Sequence, residues 1–198
     1  MPTFDPANPD FQSAVRESFD GLTLMHTIGA ALERVSPGEV EVMLPFRNDL
    51  TQHHGFIAAA VLTAVVDVAC GYAAMTLMPA WSSVLTIEYK ANFLAPARGE
   101  KLLARGRVIR PGRTVTVCAG DVVAVDGGHE KLVATLLATM MRVGEERRIS
   151  SRAAEAQAHH KSGVHSRSSR RWCLCRTWKT QAPDSAASTR LSARRYSL

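Results

Sequence analysis

One apolar stretch, residues 56–78, constrains the fold more than any other part of this 198-residue chain. It runs from Phe56 to Met78, is followed by Pro79, and carries one charged residue, Asp67, at its middle. Its length approaches that of a membrane span. However, a carboxylate at the bilayer centre costs about 2.5–3.5 kcal/mol, and no second such stretch follows. The sequence therefore predicts a helix wrapped by its own domain, without membrane association.

The remaining residues up to 143 are typical of one short helix and six strands. The helix is predicted over Pro9–Asp20, with Gly21 as its stop. Turn residues at 111–113 and 126–130 predict antiparallel hairpins between the last strands. One antiparallel sheet curled around one helix, an α+β fold, satisfies this order. The predicted strands are Ala30–Val35, Val40–Pro45, Val84–Phe93, Leu102–Arg110, Thr114–Val125 and Leu132–Val143.

The third of these predicted strands, Val84–Phe93, has the clearest alternation of side chains. Its odd-numbered positions are apolar and its even-numbered positions are mostly polar, a period of two. This pattern predicts a half-buried strand with one continuous apolar face. The residues on that face would be Leu85, Ile87, Tyr89, Ala91 and Phe93.

The net charge of +6 is distributed unevenly along the chain. Residues 1–143 carry 12 basic and 14 acidic side chains, whereas residues 144–198 carry 12 basic and only 4 acidic ones. The latter segment is rich in Ser and Arg and poor in aliphatic residues, so we predict a disordered tail after a domain spanning 10–143. Because the body is mildly acidic, nucleic acid is not expected as its partner.

The opening residues MPTFDPANPDF lack a basic segment followed by an apolar one. A secretory signal is therefore not predicted, and the expected location is the cytoplasm. Four cysteines are too few for a disulfide framework in a chain of this length. Neither His53-His54 nor Cys173-x-Cys175 has further ligands at zinc-site spacing, so no metal site is predicted.

Asp67 is the residue most suggestive of chemistry. It shares a helix face with Thr63 and Gly71 at intervals of four, while apolar side chains cover much of the remaining surface. A part-buried carboxylate has a raised pKa or a hydrogen-bonding partner, which suits a general base or nucleophile. The alternative is that Asp67 lies on a solvent-facing stripe, and helical geometry alone leaves both interpretations open.

Two segments of the sequence favour a role for Asp67 as base or nucleophile. The stretch TQHHGFIAAAVLTAVVDVACGYAA, residues 51–74, resembles the loop and central helix of hotdog-fold acyl-CoA thioesterases. The closest branch is the phenylacetate-pathway group, which also resembles 4-hydroxybenzoyl-CoA thioesterase. The segment TIEYKANFLAPARGE, residues 86–100, resembles the strand that follows in that family. The resemblance covers roughly residues 15–143 and implies a hotdog fold, an antiparallel sheet wrapped around a long central helix.

The resemblance implies a cofactor-free thioester hydrolase that forms a homodimer or homotetramer, with its site shared between subunits. Asp67 would attack the thioester carbonyl or activate water. The main-chain N–H of Ala59, at the helix N-terminus, would hold the oxyanion. Gln52 matches an Asn or Gln position that assists at the thioester carbonyl, and Thr86 matches a hydroxyl position on the first long strand. In the family a His-Gly-Gly or His-Ala-Gly stretch begins nine residues before the acid, whereas this chain has Ala58-Ala59-Ala60, whose last methyl narrows the site.

A basic segment between Lys90 and Arg113 supports a substrate with phosphates. It contains seven basic residues and one acid, and Gly112 exposes main-chain donors between Arg110 and Arg113. The alternative is an ordinary solvated sheet face. Substrate contacts are predicted at His54, Gly55, Ala60, Lys90, Asn92, Arg110, Gly112 and Arg113.

These observations predict hydrolysis of an acyl-CoA thioester to a free acid and CoA. Two alternatives remain. The first is a non-catalytic acyl-CoA-binding regulator that contacts nucleic acid through its basic tail, and Ala58-Ala59-Ala60 favours it slightly. The second is a hotdog acyl-thioester hydratase or dehydratase, which usually needs a catalytic His with an acid, whereas this helix offers only Asp67.

Overall fold

The computed structural model describes residues 4–144. The predicted disorder of the basic tail, beyond Gly144, lies outside the described residues, as does the Cys173-x-Cys175 pair. The helices and strands follow one another from residue 11 to residue 143. They are α1 Phe11–Asp20, α2 Thr23–Ile28, β1 Ala31–Ser36, β2 Glu39–Pro45, a 3₁₀ turn Asn48–Leu50, α3 Ala59–Met75, β3 Ser83–Phe93, β4 Lys101–Arg110, β5 Val115–Asp126 and β6 His129–Val143.

The six strands form one antiparallel sheet in the order β1-β2-β4-β5-β6-β3. The sheet wraps around α3, which contacts β2, β3, β4, β5 and β6. Residues with no exposed surface include Val65 and Ala69 of α3 and Val42, Val122 and Met140 of the sheet. This arrangement confirms the predicted α+β architecture with a helix enclosed by the sheet. Within residues 4–144, no helix is long and apolar enough to cross a membrane.

The central helix is shorter than the apolar stretch that predicted it. Before it, Ile57 forms a bridge with Thr51 and Ala58 is extended, so the helix begins at Ala59. After it, the buried Thr76 hydroxyl donates to the Ala73 carbonyl (2.6 Å) and accepts the Gly38 N–H (2.7 Å). Apolar residues on both flanks are buried outside the helix, and for that reason hydropathy alone overestimated its length. The short helix α2, ended by Gly29 at φ 77°, was missed.

Two paired glycines allow α3 to approach the sheet closely. Gly106 of β4 lies opposite Gly120 of β5. A Cβ on Gly106 would overlap the backbone of Ala69, and one on Gly120 would meet the Val66 side chain and the Cys70 Sγ. The helix therefore packs directly on the backbone of β4, which sets the depth at which Asp67 lies.

The structure corrects the prediction of one continuous apolar face on β3. A bulge at Ile87 shifts the register between Thr86 and Glu88. Because paired antiparallel residues point to the same face, Thr86 faces α3 with the buried Met140, and Tyr89 does so with the buried Ala138. Leu85 instead pairs with Met141 on the outer face. The extra residue of the bulge reverses the alternation, which sequence periodicity does not reveal. Nor is the strand half-buried: nine of its eleven residues, all except Val84 and Ala91, are exposed at the edge or on the open faces.

Candidate functional site

A hydrogen bond between the central helix and the edge strand defines the candidate site. The Thr86 Oγ1 donates to Asp67 Oδ1 at 2.8 Å, and it lies 3.4 Å from the Met140 Sδ. Partial burial raises the pKa of Asp67 above its ordinary value, and the hydrogen bond from Thr86 opposes part of that rise. The described structure gives Asp67 Oδ2 no hydrogen-bond partner, so this oxygen is available to a ligand or to water.

A cleft of about 310 Å³ opens beside this carboxylate, between α3, the start of β3 and the α1–α2 junction. Gly71 and Tyr72 are its buried residues. Tyr72 is held by a 3.2 Å contact between its hydroxyl and that of Ser18, and its ring lies 5.9 Å from the Phe19 ring, centroid to centroid. The cleft is at the lower end of the volumes usual for small-molecule sites, ~300–1,000 Å³. The cleft walls are completed by Leu22, Val68, Met75, Ser83 and Val84.

The N-terminus of α3 presents free main-chain donors. Ala58 caps the helix without a side-chain hydrogen bond, and its own N–H is bonded to the Leu50 carbonyl at 3.0 Å. The next two N–H groups, of Ala59 and Ala60, have no acceptor within residues 4–144, and both residues are exposed. Such groups, aided by the helix dipole, suit a developing negative charge.

The loop before this helix fixes the orientation of Gln52. Its Oε1 accepts the His54 N–H at 2.5 Å, which leaves the Nε2 free to donate. Gly55 closes the turn at φ 78°, a conformation that favours glycine, and its N–H donates to the Gln52 carbonyl at 2.9 Å. The exposed His53 and His54 rings lie 4.0 Å apart, centroid to centroid. Gln52 and Ala59 share a second cavity of about 420 Å³ with Phe93.

The predicted catalytic residues thus fall into two places within one chain. Asp67 and Thr86 are in contact, while Ala59 and Gln52 lie together at the helix N-terminus. Ala59 and Asp67 are eight residues apart, which is about 12 Å along a helix axis at ~1.5 Å per residue. A single chain does not bring the Ala59 N–H and the Asp67 carboxylate to the same carbonyl group.

The predicted phosphate contacts lie elsewhere on the sheet. Arg110, Gly112 and Arg113 are exposed in the β4–β5 turn, which the 2.8 Å bond from the Arg142 N–H to the Thr114 carbonyl places near the start of β3. This is the end of the sheet opposite Phe93 and the Ala59 cavity. Lys90 and Asn92 alternate with the α3-facing residues of β3 and so lie on its outer face.

The basic segment carries less free charge than its sequence indicates. Lys101 pairs with Glu33 (3.6 Å), and Arg107 pairs with Asp121 (2.9 Å). Arg105 pairs with both Glu41 and Glu130. These partners come from four other strands, β1, β2, β5 and β6, which a count along one segment does not include. The basic residues left without an ion pair among residues 4–144 include Lys90, Arg98, Arg110 and Arg113.

Several residues of the cleft were missed by sequence reasoning as site residues. Ser18, Tyr72 and Val84 come from three separate elements, and no motif connects them. Only the helical spacing of Gly71 from Asp67 gave a signal. Cys70 and Cys118 are buried in the core, and burial raises the pKa of the Cys118 thiol to about 12. Among the described residues, no three His, Cys, Asp or Glu side chains are grouped as metal ligands would be.

Comparison with known proteins defines the class to which this fold and site belong. Residues 54–131 match the family model of the thioesterase superfamily. A curated relative from Halobacterium salinarum, named "Putative esterase", is 30% identical over 119 residues, which cover 58% of this chain and 78% of that protein. The chain belongs to the thioesterase superfamily, and its fold is the hotdog fold.

Two solved structures illustrate the relationship. A thioesterase family protein from Silicibacter pomeroyi is 43% identical with a TM-score of 0.67, and the match covers 68% of this chain and 99% of that one. The E. coli PaaI protein from the phenylacetic acid degradation operon is 16% identical with a TM-score of 0.62, over 70% of this chain and 96% of that one, and so shares the fold. The family match and the relatives from Halobacterium salinarum and Silicibacter pomeroyi support thioester hydrolysis as the general activity.

Proposed function

We propose that the chain hydrolyses acyl-CoA thioesters to a free acid and CoA, with Asp67 as base or nucleophile. The observation that carries this proposal is the half-buried Asp67, held by Thr86 through Oδ1 with Oδ2 free, at the mouth of a largely apolar cleft. With Asp67 as base, a water proton moves to the carboxylate and the oxygen adds to the carbonyl carbon. The C–S bond then breaks, and the thiolate takes up a proton.

The Ala59 N–H is proposed to stabilise the oxyanion of the tetrahedral intermediate, with the Gln52 amide assisting. Main-chain donors need no side chain, so Ala58-Ala59-Ala60 retains the groups that a glycine-rich stretch would supply. The bond from the His54 N–H to Gln52 Oε1 favours an amide orientation in which Nε2 donates to the substrate carbonyl. Gly55 supports this loop, and Ala60 lies beside the approaching thioester.

A homodimer is proposed to complete the site. Asp67 and the Ala59 N–H lie about two helical turns apart in one chain, so a carbonyl held by the Ala59 of one protomer would meet the Asp67 of its partner. The edge strand β3 supplies a joining surface. Within residues 4–144 no strand pairs with its outer edge, and its large apolar side chains are about half exposed: Leu85 55%, Ile87 54%, Tyr89 47% and Phe93 50%. A long apolar edge of this kind is a template for pairing with another strand.

The CoA phosphates are proposed to contact the β4–β5 turn. Arg110 and Arg113 are exposed there without carboxylate partners among the described residues, and guanidinium groups bind phosphate well. Lys90 and Asn92, on the outer face of β3, are proposed as further contacts of the CoA portion.

The catalytic proposal is tested by replacing Asp67 with Asn. The purified full-length protein and the Asp67→Asn variant are offered acetyl-, hexanoyl-, benzoyl- and phenylacetyl-CoA, with detection of the released thiol. Loss of a general base lowers the rate by roughly 10²–10⁴-fold, and that loss is expected on every thioester the wild type hydrolyses. Full activity of the variant, or no turnover of any thioester by the wild type, contradicts the proposal.

Thermal unfolding provides the folding control for this variant. The raised pKa of Asp67 means that the folded state binds its proton more tightly than the unfolded state. The carboxyl therefore favours folding most below its unfolded pKa, and that contribution is lost as the pH rises through the folded pKa. The neutral Asn is thus expected to leave the melting temperature at pH 7 unchanged or higher, so lost activity is not explained by unfolding.

A further inference from the structure

Trp81 has a strained backbone. Among residues 4–144 it is the one residue other than glycine with a positive φ, at 65°. It is the third residue of a turn between α3 and β3, which the Ser82 N–H closes by donating to the Pro79 carbonyl at 3.3 Å. Such a position favours glycine or asparagine, because a side chain in the left-handed region costs free energy. Strain of this kind is concentrated at functional sites.

The indole of Trp81 is also the most exposed large apolar side chain of the described residues, at 80%. The other exposed large apolar side chains of residues 4–144 reach 55% at most. With so little of the indole covered, packing inside the fold does not offset the strain of its backbone. Fold stability therefore gives no reason for a tryptophan at position 81, whereas a flat aromatic face suits a planar ligand.

Trp81 lies at the outer end of the cleft that contains Asp67. Ser83, two residues after Trp81, lines that cleft, and so does Thr86, which holds the carboxylate. The three residues from Thr86 back to Ser83 span about 10 Å of strand at ~3.3 Å per residue. A substrate with its carbonyl at Asp67 can therefore leave the cleft beside Ser83 and reach the indole.

The basic β4–β5 turn lies at this same end of the sheet. Ser83 pairs with the last residue of β6, and the residue before it, Arg142, donates its N–H to the Thr114 carbonyl beside Arg113. Because neighbouring strands are about 4.8 Å apart, the start of β5 lies roughly 10 Å from the start of β3. One nucleotide can span that distance, with its base on the indole and its phosphates at the turn.

We propose that Trp81 binds the adenine ring of CoA by stacking, while the β4–β5 turn holds the phosphates. This inference rests on the proposed thioesterase activity and names the residue that recognises the nucleotide of its substrate. A base stacked on an aromatic side chain gains affinity without any hydrogen bond, so an exposed indole is sufficient. The pantetheine arm connects this position with the thioester along the cleft, past Ser83.

The test compares one acyl group, that of the CoA thioester hydrolysed fastest, carried by CoA and by pantetheine, which lacks the nucleotide. In Trp81→Ala, kcat/KM for the acyl-CoA is expected to fall about 5–150-fold, the usual loss of a base–aromatic stack. The loss is expected in KM, with kcat retained, and the value for the acyl-pantetheine should stay near that of the wild type. Trp81→Phe keeps a stacking ring and should retain most of the preference for CoA. Equal losses on both carriers, or no loss on either, overturn the inference.

Binding measured without turnover separates this inference from the proposed function. CoA and adenosine 3′,5′-bisphosphate, which carries the adenine and two phosphates, are titrated into the wild type and Trp81→Ala by calorimetry. Weaker binding of both ligands to the variant supports the role of Trp81 even if no thioester is hydrolysed, a result that would refute the proposed function alone. Equal affinities for the two proteins, or no binding of CoA by the wild type, contradict the inference.

Two further variants serve as controls. Trp81→Gly relieves the positive φ, so it is expected to melt at the wild-type temperature or higher while losing CoA affinity as Trp81→Ala does. Leu132→Ala removes another exposed apolar side chain, at the opposite end of β6, and should leave CoA affinity unchanged. A lower melting temperature of Trp81→Gly, or an equal loss of CoA affinity in Leu132→Ala, would argue against a ligand-binding role for Trp81.

Discussion

At the scale of single residues, partial burial and the contact with Thr86 together set the proton affinity of Asp67, the candidate base. Partial burial raises the pKa of Asp67, and the Thr86 hydroxyl lowers it by donating to Oδ1, because that bond favours the charged carboxylate. A base must be ionised to act. Activity is therefore expected to decline on the acid side around a pKa above the ordinary ~3.9 of an aspartic acid.

Replacing Thr86 tests this electrostatic role. Thr86→Val removes the donor at similar volume, so the pKa of Asp67 should rise and the acid limb of the pH–kcat/KM profile should move to higher pH. Thr86→Ser keeps a hydroxyl and should leave the limb close to its wild-type position. The test is to measure the pH–kcat/KM profiles of both variants and of the wild type on the same thioester. An unchanged acid limb in Thr86→Val would show that the hydroxyl does not act through Asp67.

At the scale of secondary structure, the contact between α3 and β4 depends on the missing side chain at Gly106. A Cβ there would overlap the main chain of Ala69, and backbone cannot yield as a flexible side chain can. Gly106→Ala is expected to lower the free energy of unfolding by about 1–3 kcal/mol or more, the usual cost of overpacking. Urea denaturation measures this loss.

Gly71→Ala is the matched control for that measurement. It adds the same methyl group, on the helix side of the same core, where only an ordinary 3.6 Å contact results. If the two variants unfold with equal midpoints, close packing at Gly106 is not what limits the approach of the helix.

At the scale of the whole molecule, the exposed apolar edge of β3 and the separation of Ala59 from Asp67 point to the same assembly. Ile87→Asp places a charge on the free edge of β3, the proposed dimer interface, where the charge would be desolvated when two protomers associate. The variant is expected to elute as a monomer in size-exclusion chromatography with light scattering and to lose activity. Arg16→Asp, on the exposed side of α1, alters charge away from that edge and should retain both assembly and activity. A monomeric wild type with full activity would contradict the shared site.

The sequence by itself determined the central helix, α1 and the six strands of the fold, but not the short helix α2. The apolar stretch around Asp67 marked the enclosed helix, and the turns at 111–113 and 126–130 marked the hairpins that the structure contains. These features are local, since periodicity and turn chemistry depend on residues within a few positions of one another. The same local rules also indicated that Asp67 was the residue to examine.

Only the tertiary structure decided what surrounds Asp67. The bulge at Ile87 turns Thr86 towards α3, and the register of β4 with β2 and β5 gives Arg105 and Arg107 their acidic partners. The tertiary structure also decides that packing requires glycine at position 106, whereas Gly71 borders the cleft. Both outcomes depend on atoms far away in sequence. Such contacts depend on strand register and on the depth at which the helix packs against the sheet. A shift of one residue in the register would change which side chains meet.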